Sequence, residues 1–432
     1  MAFYFGPSEL SRRELYHVGA GRFAEVPFLL SEELVYLDDV NRFLRQRAWG
    51  EWTPNSKAKS EFATRKPLSD NTLRAYARDL DNFFTYLEIK ELDWRFISYT
   101  DVIEKYERDL SSGAWSASGE PLENSTINRR GDRSVEFLQW ASEQGLRGDF
   151  ALPTETVSRR ISDGRSARMG YSTTEVRIGR RRVHPKRLRL PTIAEINRWL
   201  SEIKARYGST KARACQFVID TGCRLEETVL FRADQLPDPD TISLDRPARM
   251  EICYGTKGGR TPGDPEKKGK QRTLRFERDA LVALHNYRQL GRLKALEKLG
   301  HSDRGKDAPR ELFLNEATGM PLTRDALYRA WHNTTTLPFV GFSPHAGRHT
   351  FACFTLLRLL EEEFKLIQKT IDVIPRSAVF QAAENLVDIY LKPVLGHVSG
   401  QTTERYLEWV GDHLWVARHR AGWSSFLESD PG

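Results

Sequence analysis

Five side chains in the second half of the sequence have the chemistry to bind an anion, move a proton or attack an electrophile. Arg224 in TGCRLEE and Arg348 in HAGRH could each hold an anion with two parallel hydrogen bonds. Lys257 in GTKGG and His345 could donate or accept a proton, and Tyr406 in TERYLEW could be a nucleophile. Taken singly, each residue also has an ordinary structural interpretation, such as a surface arginine, a turn lysine or a half-buried helix tyrosine.

The order of these residues along the chain is more informative than any one of them. Arg224 lies in a TG-x-R-x-x-E turn with Glu227, a lysine follows in a Gly-rich turn, and an H-x-x-R sequence comes next. An LGH turn then places His397 nine residues before Tyr406. A random chain would almost never contain so many matches in one order, because each position matches by chance about once in twenty.

This ordered set resembles the catalytic motif of the tyrosine recombinases, also called phage-type integrases. The resemblance covers about residues 186 to 410, and the segments TLRAYARDLDNFF and STINRRGDRSVEFLQW look like the family's core-binding domain. It implies a fold that is mainly α with a small antiparallel β-sheet, in which a helical core-binding domain precedes a catalytic domain. It also implies a site-specific recombinase that breaks and rejoins DNA through a 3′-phosphotyrosine intermediate.

The resemblance gives the arginines and histidines a role in phosphoryl transfer. Arg224 and Arg348 would bind the non-bridging oxygens of the scissile phosphate, where negative charge grows in the transition state. Glu227 would orient Arg224. His345 and His397 would donate further hydrogen bonds, and His345 could also accept the proton of the tyrosine.

The nucleophile and the general acid are expected in two other segments. Tyr406 is the expected nucleophile, and it needs cationic neighbours because a phenol has a pKa of about 10 in water. Lys257 is expected to protonate the leaving 5′-oxygen, while Lys268 and Lys270 stay as alternatives because the hairpin insertion is long. His349, in the same motif as His345, is left as structural.

Two domains and a connecting segment are expected to position these residues. The predicted boundaries are an irregular N-terminal arm at 1–30, a helical core-binding domain at 31–150, a basic interdomain linker at 151–185, and a catalytic domain with a C-terminal tail at 186–432. Apolar spacings of three and four predict helices at 31–49, 69–89, 101–110 and 125–144. Beyond Pro191, helical segments surround three predicted antiparallel strands at 240–245, 248–255 and 270–276.

Basic side chains indicate where DNA would bind. Arginines, Arg177 among them, greatly outnumber acids in the linker, and its place between two domains favours contact with phosphate over a solvated run. The predicted DNA-binding residues lie on the helices at 69–89 and 125–144 and in the linker: Arg74, Arg78, Asn128, Arg129, Arg130, Arg180, Arg181 and Arg182. The formal net charge of +7 is compatible with an acidic partner but does not decide the question.

Composition and spacing argue against several other classes of protein. No window approaches the run of about 20 apolar residues that a bilayer crossing needs. The start MAFYFGPSEL lacks the features of a secretory signal, so a cytoplasmic, nucleoid-associated protein is expected. The four cysteines form no C-x-x-C pair, and neither a metal-ligand spacing nor a GKS or GKT phosphate loop occurs, so no metal and no cofactor are expected.

By the resemblance, the partner is double-stranded DNA, bound by a tetramer on two DNA sites; accessory DNA-bending proteins, the target sequence and the mobile element served stay open. A type IB topoisomerase-like or telomere-resolving enzyme shares this catalytic set, and a non-catalytic DNA-binding regulator would share the fold.

One departure from the family pattern is the separation of 52 residues between His345 and His397, about twice the expected spacing. The extra segment, RLLEEEFKLIQKTIDVIPRSAVFQAAENLVDIYL, has a helical pattern.

Overall fold

The structure, a computed structural model, divides into two compact units, residues 1–185 and residues 186–432. Within these units it describes residues 3–5, 9–24, 26–54, 68, 70–161, 170–184, 187–242, 247–257, 268–299, 308–366, 375–396 and 400–416. These residues are mainly helical and form three two-stranded antiparallel sheets, which confirms the predicted fold class. In these ranges no helix has both the length and the apolar character needed to cross a membrane.

The first unit combines helices with two small sheets. Its strands are β1 (Phe3–Phe5), β2 (Phe28–Leu30), β3 (Thr154–Ile161) and β4 (Gly170–Arg177), paired β1 with β2 and β3 with β4. Its helices are α1 (Glu9–His17), α2 (Asp38–Trp49), α3 (Asp70–Ile89), α4 (Tyr99–Asp101), α5 (Arg108–Ser112) and α6 (Asn124–Glu143). A π-helical turn, Val102–Glu107, joins α4 to α5.

The core of the first unit lies between α2, α3 and α6. The predicted apolar stripe of α3 is buried, as Leu73, Tyr76, Leu80 and Phe83 show. Phe137 and Trp140 of α6 are fully buried in the same cluster. Burying each such side chain contributes about 1.5–3 kcal/mol, so the predicted helices at 69–89 and 125–144 are confirmed as the pair that organises this unit.

The prediction of an irregular arm at 1–30 is wrong. This segment contains α1 and both strands of the β1–β2 sheet. Leu29 of β2 is fully buried, and its backbone is held by a side chain of α2: Asn41 accepts a hydrogen bond from the Leu29 amide at 2.7 Å and donates one to its carbonyl at 2.8 Å. The strand therefore belongs to the folded unit.

The first predicted helix begins later than its pattern indicates. Leu34 has a φ of +61°, which an α-helix does not accommodate, and 66% of it is exposed. Tyr36 forms an isolated β-bridge with Leu30. The helix α2 consequently starts at Asp38 instead of near Ser31.

A hairpin occupies much of the segment predicted as a linker. The strands β3 and β4 pair from Thr154↔Arg177 to Ile161↔Gly170. Residues 162–169, between the strands, lie outside the described residues. The sequence pattern predicts no element here because the strands are built largely from threonine, serine, glutamate and arginine, which provide β-branched residues without an apolar face.

The last residue of β4, Arg177, is buried beside α6. Its Nη2 lies 2.6 Å from Glu107 Oε1, and its Nε lies 2.7 Å from Asp132 Oδ1. A Cβ at Gly131 would overlap the Glu107 carboxylate and lie 2.7 Å from Arg177 Nη2, so glycine permits this ion pair. Arg177 is thus a structural residue. This corrects the expectation that all arginines of the basic segment contact phosphate.

The second unit is a helical body with one sheet. Its strands β5 (Ala248–Tyr254) and β6 (Lys268–Phe276) are antiparallel. Its helices are α7 (Ile193–Tyr207), α8 (Ser209–Thr221), α9 (Leu225–Val229), α10 (Arg278–Gln289), α11 (Gly291–Leu296), α12 (Arg324–His332), α13 (Pro344–Leu366), α14 (Arg376–Leu386), α15 (Lys392–Leu395) and α16 (Gly400–Gly411). π-Helical turns occupy Val387–Leu391 and Asp412–Val416.

The predicted strand at 240–245 is wrong where the structure describes it. Pro239–Thr241 is a 3₁₀ turn, and the Asp238 carboxylate accepts a hydrogen bond from the Asp240 amide at 3.0 Å. Proline at the first turn position and aspartate before it favour this turn over a strand. Residues 243–246 lie outside the described residues.

The extra segment between His345 and His397 is helical, as its pattern predicts. It lengthens α13 to Leu366 and adds α14, while residues 367–374 lie outside the described residues. Val379, Ala383 and Val387 are buried in a core cluster with side chains of α13 and α16. The segment therefore extends the core of the second unit.

Gly131→Ala should destabilise the first unit by about 3 kcal/mol, because the added methyl group would force Arg177 away from the buried Glu107 carboxylate. Urea unfolding followed by tryptophan fluorescence measures the change. Gly148→Ala is the matched control, since a Cβ at Gly148 meets no heavy atom within 4 Å. Equal unfolding midpoints for the two variants would contradict the tight packing of the ion pair against α6.

Candidate active site

The carboxylate of Glu227 fixes Arg224 at the start of α9. Its Oε2 accepts a hydrogen bond from the Arg224 amide at 2.7 Å, and its Oε1 accepts one from Arg224 Nη1 at 2.8 Å. Burial alone would raise the pKa of Glu227, but the guanidiniums of Arg272 and Arg224 hold it below its ordinary value. The side chain of Arg224 keeps 23% of its surface exposed, so the TG-x-R-x-x-E turn presents a fixed and partly accessible guanidinium.

Arg348 reaches the same cluster from α13 and is 1% exposed. It donates hydrogen bonds to the carbonyls of Gly222 and Leu395, and Arg224 Nη2 lies 3.5 Å from the same Leu395 carbonyl. Gly222 has a φ of +64°, and a Cβ there would lie 2.5 Å from the Phe351 ring, so this turn requires glycine. The two arginines of the motif are thus brought together at the end of α15.

A third arginine, Arg272 of β6, completes the cluster and was missed by the sequence analysis. It is 9% exposed and donates hydrogen bonds to Glu227 and to the Val394 carbonyl. A signal was present in KQRTLRF, because Arg272, Leu274 and Phe276 alternate along the strand and all three are buried. Inward alternation therefore identifies Arg272 even though its residue type favours the surface.

The cluster contains more positive than negative charge. In the described contacts, Arg224 and Arg272 share the carboxylate of Glu227, while Arg348 donates to backbone carbonyls. Burial, followed by repulsion from Arg224 and Arg272, lowers the pKa of Arg348 to about 9. Such a site favours an anion with several acceptor oxygens.

Two histidines lie one turn apart on α13, with ring centroids 4.4 Å apart. His345 is exposed, whereas His349 is buried. Partial desolvation and the positive charges of Arg348 and Arg224 lower the pKa of His345, which favours a neutral imidazole at neutral pH. A neutral imidazole can accept a proton or donate a hydrogen bond.

Tyr406 of α16 lies beside these groups and is 1% exposed. Its Oη is 3.1 Å from His349 Nδ1. Burial, with a smaller contribution from Cys353, raises the pKa of Tyr406, although Arg348 and Arg405 act in the opposite direction. The phenol is therefore protonated at neutral pH in this state.

The candidate general acids are exposed in and around the β5–β6 hairpin. Lys257 follows β5, and its charge contributes to the lowered pKa of His345, so it lies near the arginine cluster. Lys268 lies 5.8 Å from the Tyr254 ring, and Lys270 is also exposed. The intervening residues 258–267 and His397 lie outside the described residues.

The described residues near the site also include three buried cysteines. The residues that the structure describes contain no group of three or more His, Cys, Asp or Glu able to hold a metal ion. Burial raises the pKa of the thiols of Cys215, Cys223 and Cys353, which keeps them protonated. The described cluster therefore offers guanidinium, imidazole, ammonium and phenol groups.

The predicted DNA-binding arginines on the helices of the first unit differ in exposure. Arg74 and Arg78 of α3 are exposed. Arg129 Nε lies 3.0 Å from Asp79 Oδ2, yet half of the Arg129 side chain stays exposed. Arg130 keeps 22% of its side chain exposed. Arg74, Arg78 and Arg129 are thus the most accessible of the four.

Asn128 is not free to contact DNA, which corrects its predicted role. It is 3% exposed, and its side chain donates to the Arg181 carbonyl at 2.8 Å and accepts from the Arg181 amide at 2.9 Å. Arg180 keeps 45% of its side chain exposed, and Arg182 is exposed. Asn128 therefore holds the backbone that carries the neighbouring arginines.

Comparison with known proteins gives a family match within the first unit. Residues 60–145 match the family described as phage integrase, N-terminal SAM-like domain. A comparison with curated proteins gives no significant match.

Among solved structures, the chain is similar to XerA recombinase, with 15% identity, a TM-score of 0.32, and 90% of this chain and 98% of that chain covered. It is also similar to the Tn1549 transposon integrase in complex with circular intermediate DNA, with 15% identity, a TM-score of 0.41, and coverage of 85% and 94%. For a lambda integrase dimer bound to a COC′ core site, the values are 10%, 0.41, 82% and 92%. The family match thus lies in the first unit, at residues 60–145, and the ordered motif that resembles the tyrosine recombinases lies in the second.

Proposed function

We propose that this protein is a site-specific DNA recombinase or integrase that breaks and rejoins double-stranded DNA through Tyr406, without metal or ATP. The observation that supports this most directly is geometric: the guanidiniums of Arg224 and Arg348 meet at the Leu395 carbonyl, and the hydroxyl of Tyr406 lies beside His349 on the same helix as Arg348. A phosphodiester would offer further anionic oxygens to Arg224 and Arg348. The family match at residues 60–145 and the ordered motif of the second unit support the same reaction class.

The proposed cleavage is a transfer of the phosphate from a 5′-oxygen to the tyrosine. The Oη of Tyr406 forms a bond to phosphorus while the bond from phosphorus to the 5′-oxygen breaks. Arg224 and Arg348 neutralise the charge on the non-bridging oxygens, and Lys257 protonates the departing oxygen. The products are a 3′-phosphotyrosine and a free 5′-hydroxyl, and attack by another 5′-hydroxyl reverses the chemistry and rejoins DNA.

The first unit would bind the duplex through its exposed arginines. Arg74, Arg78 and Arg129 project from packed helices, and Arg182 lies on backbone that is fixed by the side chain of Asn124, whose Nδ2 donates to the Arg182 carbonyl at 2.9 Å. Fixed backbone lowers the entropy lost when such side chains meet phosphate. In the proposed assembly, a tetramer acts on two DNA sites in the cytoplasm at the nucleoid.

Tyr406→Phe should bind DNA with unchanged affinity and form no covalent adduct, because only the hydroxyl is lost. A nicked suicide substrate traps the adduct, which denaturing electrophoresis measures. Tyr328→Phe is the matched control, since Tyr328 is an exposed tyrosine of α12. If Tyr406→Phe still formed an adduct, a residue other than Tyr406 would be the nucleophile. Absence of an adduct in the wild type would favour a DNA-binding regulator, and relaxation without strand exchange would favour a topoisomerase-like enzyme.

Arg182→Ala should reduce the slope of log affinity against log salt by up to about 0.9, since one phosphate contact is lost. Fluorescence anisotropy with a labelled duplex over a series of salt concentrations gives the slope. Arg206→Ala is the control, because Arg206 is a half-exposed arginine of α7 that pairs with Glu202. If both variants keep the wild-type slope, the side chain of Arg182 is merely solvated.

A substrate with sulfur in place of the bridging 5′-oxygen should restore cleavage by Lys257→Ala to within about tenfold of wild type, because a thiolate leaves without a proton donor. Arg348→Ala should stay impaired on this substrate, since its defect concerns the non-bridging oxygens. Lys268→Ala and Lys270→Ala test the alternative assignments. If the sulfur-substituted substrate rescued only one of these two variants, that lysine would be the general acid. Equal rescue of Arg348→Ala would refute the general-acid role of the lysine.

A further inference from the structure

The turn that leads to Lys257 packs against the helix that begins after Arg224. Gly255, directly after β5, has a φ of +72°, and a Cβ there would lie 2.9 Å from the Glu226 carbonyl carbon and 3.0 Å from the Glu227 amide nitrogen. Glycine provides both this close approach and the left-handed conformation. The backbone of the turn therefore lies directly on the backbone of α9.

The other side of the same turn packs against β6. A Cβ at Gly269 would overlap the carbonyl oxygen of Thr256 and lie 2.6 Å from its Oγ1. Thr256 is 2% exposed, and its Oγ1 donates a hydrogen bond to the Cys253 carbonyl at 2.8 Å. The backbone from Gly255 to Lys257 is therefore held between α9 and a gap in β6, where Gly269 has no side chain.

The last residue of β5 is fixed as well. Arg232 Nη1 donates a hydrogen bond to Tyr254 Oη at 2.7 Å, and the guanidinium carbon of Arg232 lies 3.7 Å from the centroid of the Tyr254 ring. Tyr254 pairs with Lys268 of β6 after an irregularity in the register. Three consecutive residues, 254–256, thus have defined contacts on other elements.

Lys257 follows this fixed segment, and its side chain is exposed. Burial and three arginines lower the pKa of His345, and the charge of Lys257 adds to them, so the ammonium lies near the arginine cluster. A lysine side chain is long and flexible, so the position of its backbone determines which groups the ammonium reaches. The contacts of the three preceding residues therefore decide what Lys257 can protonate.

We propose that Thr256 and Gly269 are positioning residues, which hold the backbone of Lys257 where its ammonium reaches the leaving 5′-oxygen. Both roles rest on the proposed function, in which Lys257 is the general acid. Neither residue contacts the substrate in this proposal, and both act through the place of Lys257. A displacement of about 1 Å at a reacting group is enough to cost about 100-fold in rate.

The packing of the turn also couples the proton donor to the proposed phosphate-binding site. Gly255 lies on the backbone of Glu226 and Glu227, and the Glu227 carboxylate holds Arg224. The guanidinium of Arg224 and the ammonium of Lys257 are therefore both placed from the first turn of α9. A phosphate bound at the arginine would lie at a fixed distance from the backbone of the lysine.

Gly269→Ala adds one methyl group at the point of contact with Thr256. Gly269 lies in β6 and does not have a positive φ, so alanine fits the strand backbone and the added methyl displaces the turn. We expect wild-type DNA affinity and about 100-fold slower adduct formation on the nicked suicide substrate. Gly148→Ala is the matched control, because a Cβ at Gly148 meets no heavy atom within 4 Å. Urea unfolding checks that each variant is folded.

The sulfur-substituted substrate separates a positioning role from general damage to the site. A displaced proton donor matters only while the leaving group needs a proton, so Gly269→Ala should cleave this substrate within about threefold of the wild type. Damage to the arginine cluster would persist with sulfur, as expected for Arg348→Ala. A Gly269→Ala variant that is as impaired with sulfur as with oxygen would overturn the proposal.

The double variant Gly269→Ala/Lys257→Ala gives a second readout. If Gly269 acts through Lys257, adding Gly269→Ala to Lys257→Ala should slow cleavage of the oxygen substrate by less than about twofold. A merely structural effect would be independent of the lysine. Full multiplication of the two single effects would therefore contradict the positioning role.

Variants of Thr256 keep the test informative if Gly269→Ala does not fold. Valine has the shape of threonine but cannot donate to the Cys253 carbonyl, whereas serine keeps the hydroxyl. We expect Thr256→Val to cleave the oxygen substrate about tenfold more slowly and to recover with sulfur, and Thr256→Ser to stay within about threefold of the wild type. A wild-type rate for Thr256→Val, or a loss that sulfur does not restore, would refute the role of Thr256.

The wild type and Lys257→Ala separate a failure of this role from a failure of the proposed function. A wild type that forms no adduct on the nicked substrate would refute the recombinase function itself. If the wild type forms the adduct but sulfur does not restore Lys257→Ala, Lys257 is not the general acid and the positioning role falls with it. The two failures are therefore distinguishable.

Discussion

The buried carboxylate of Glu227 holds the arginine cluster together. It binds the amide and the guanidinium of Arg224 and also the guanidinium of Arg272, which in turn binds the Val394 carbonyl. Three elements, the start of α9, the strand β6 and the end of α15, are therefore fixed to one another by one acidic group. Removing such a partner costs about 3–5 kcal/mol, because buried charge is left unpaired.

Helix ends help to keep a further arginine, Arg348, buried in the site. Arg348 donates to the carbonyl of Gly222, directly after α8, and to that of Leu395, the last residue of α15. Carbonyls at a helix C-terminus lack intrahelical partners and carry partial negative charge. They stabilise the guanidinium in part, and the remaining positive potential is what a phosphate would meet.

The sequence allowed the helical framework and the ordered motif to be predicted, because both depend on local spacing. The stripe of α3 and the turn that joins Arg224 to Glu227 are of this kind. Interactions between distant segments could not be read in the same way. The strand at Leu29 depends on Asn41, and the burial of Arg177 depends on Glu107 and on the absence of a side chain at Gly131. Arg272 and His349 have polar side chains whose partners lie on other elements. Alternation or helical spacing predicts which face of the strand or helix each side chain is on, but it does not predict which residue that side chain contacts.

The extra helical segment before the LGH turn contributes to the same core that carries the motif residues of α13 and α16. Loop-closure entropy rises slowly with chain length, and the insertion offsets it by burying Val379, Ala383 and Val387. After the insertion, the chain has to bring one group to the same position, the Leu395 carbonyl, which accepts hydrogen bonds from both motif arginines. A change in the length of this segment is therefore compatible with the arginine cluster only if the chain still returns to the Leu395 carbonyl.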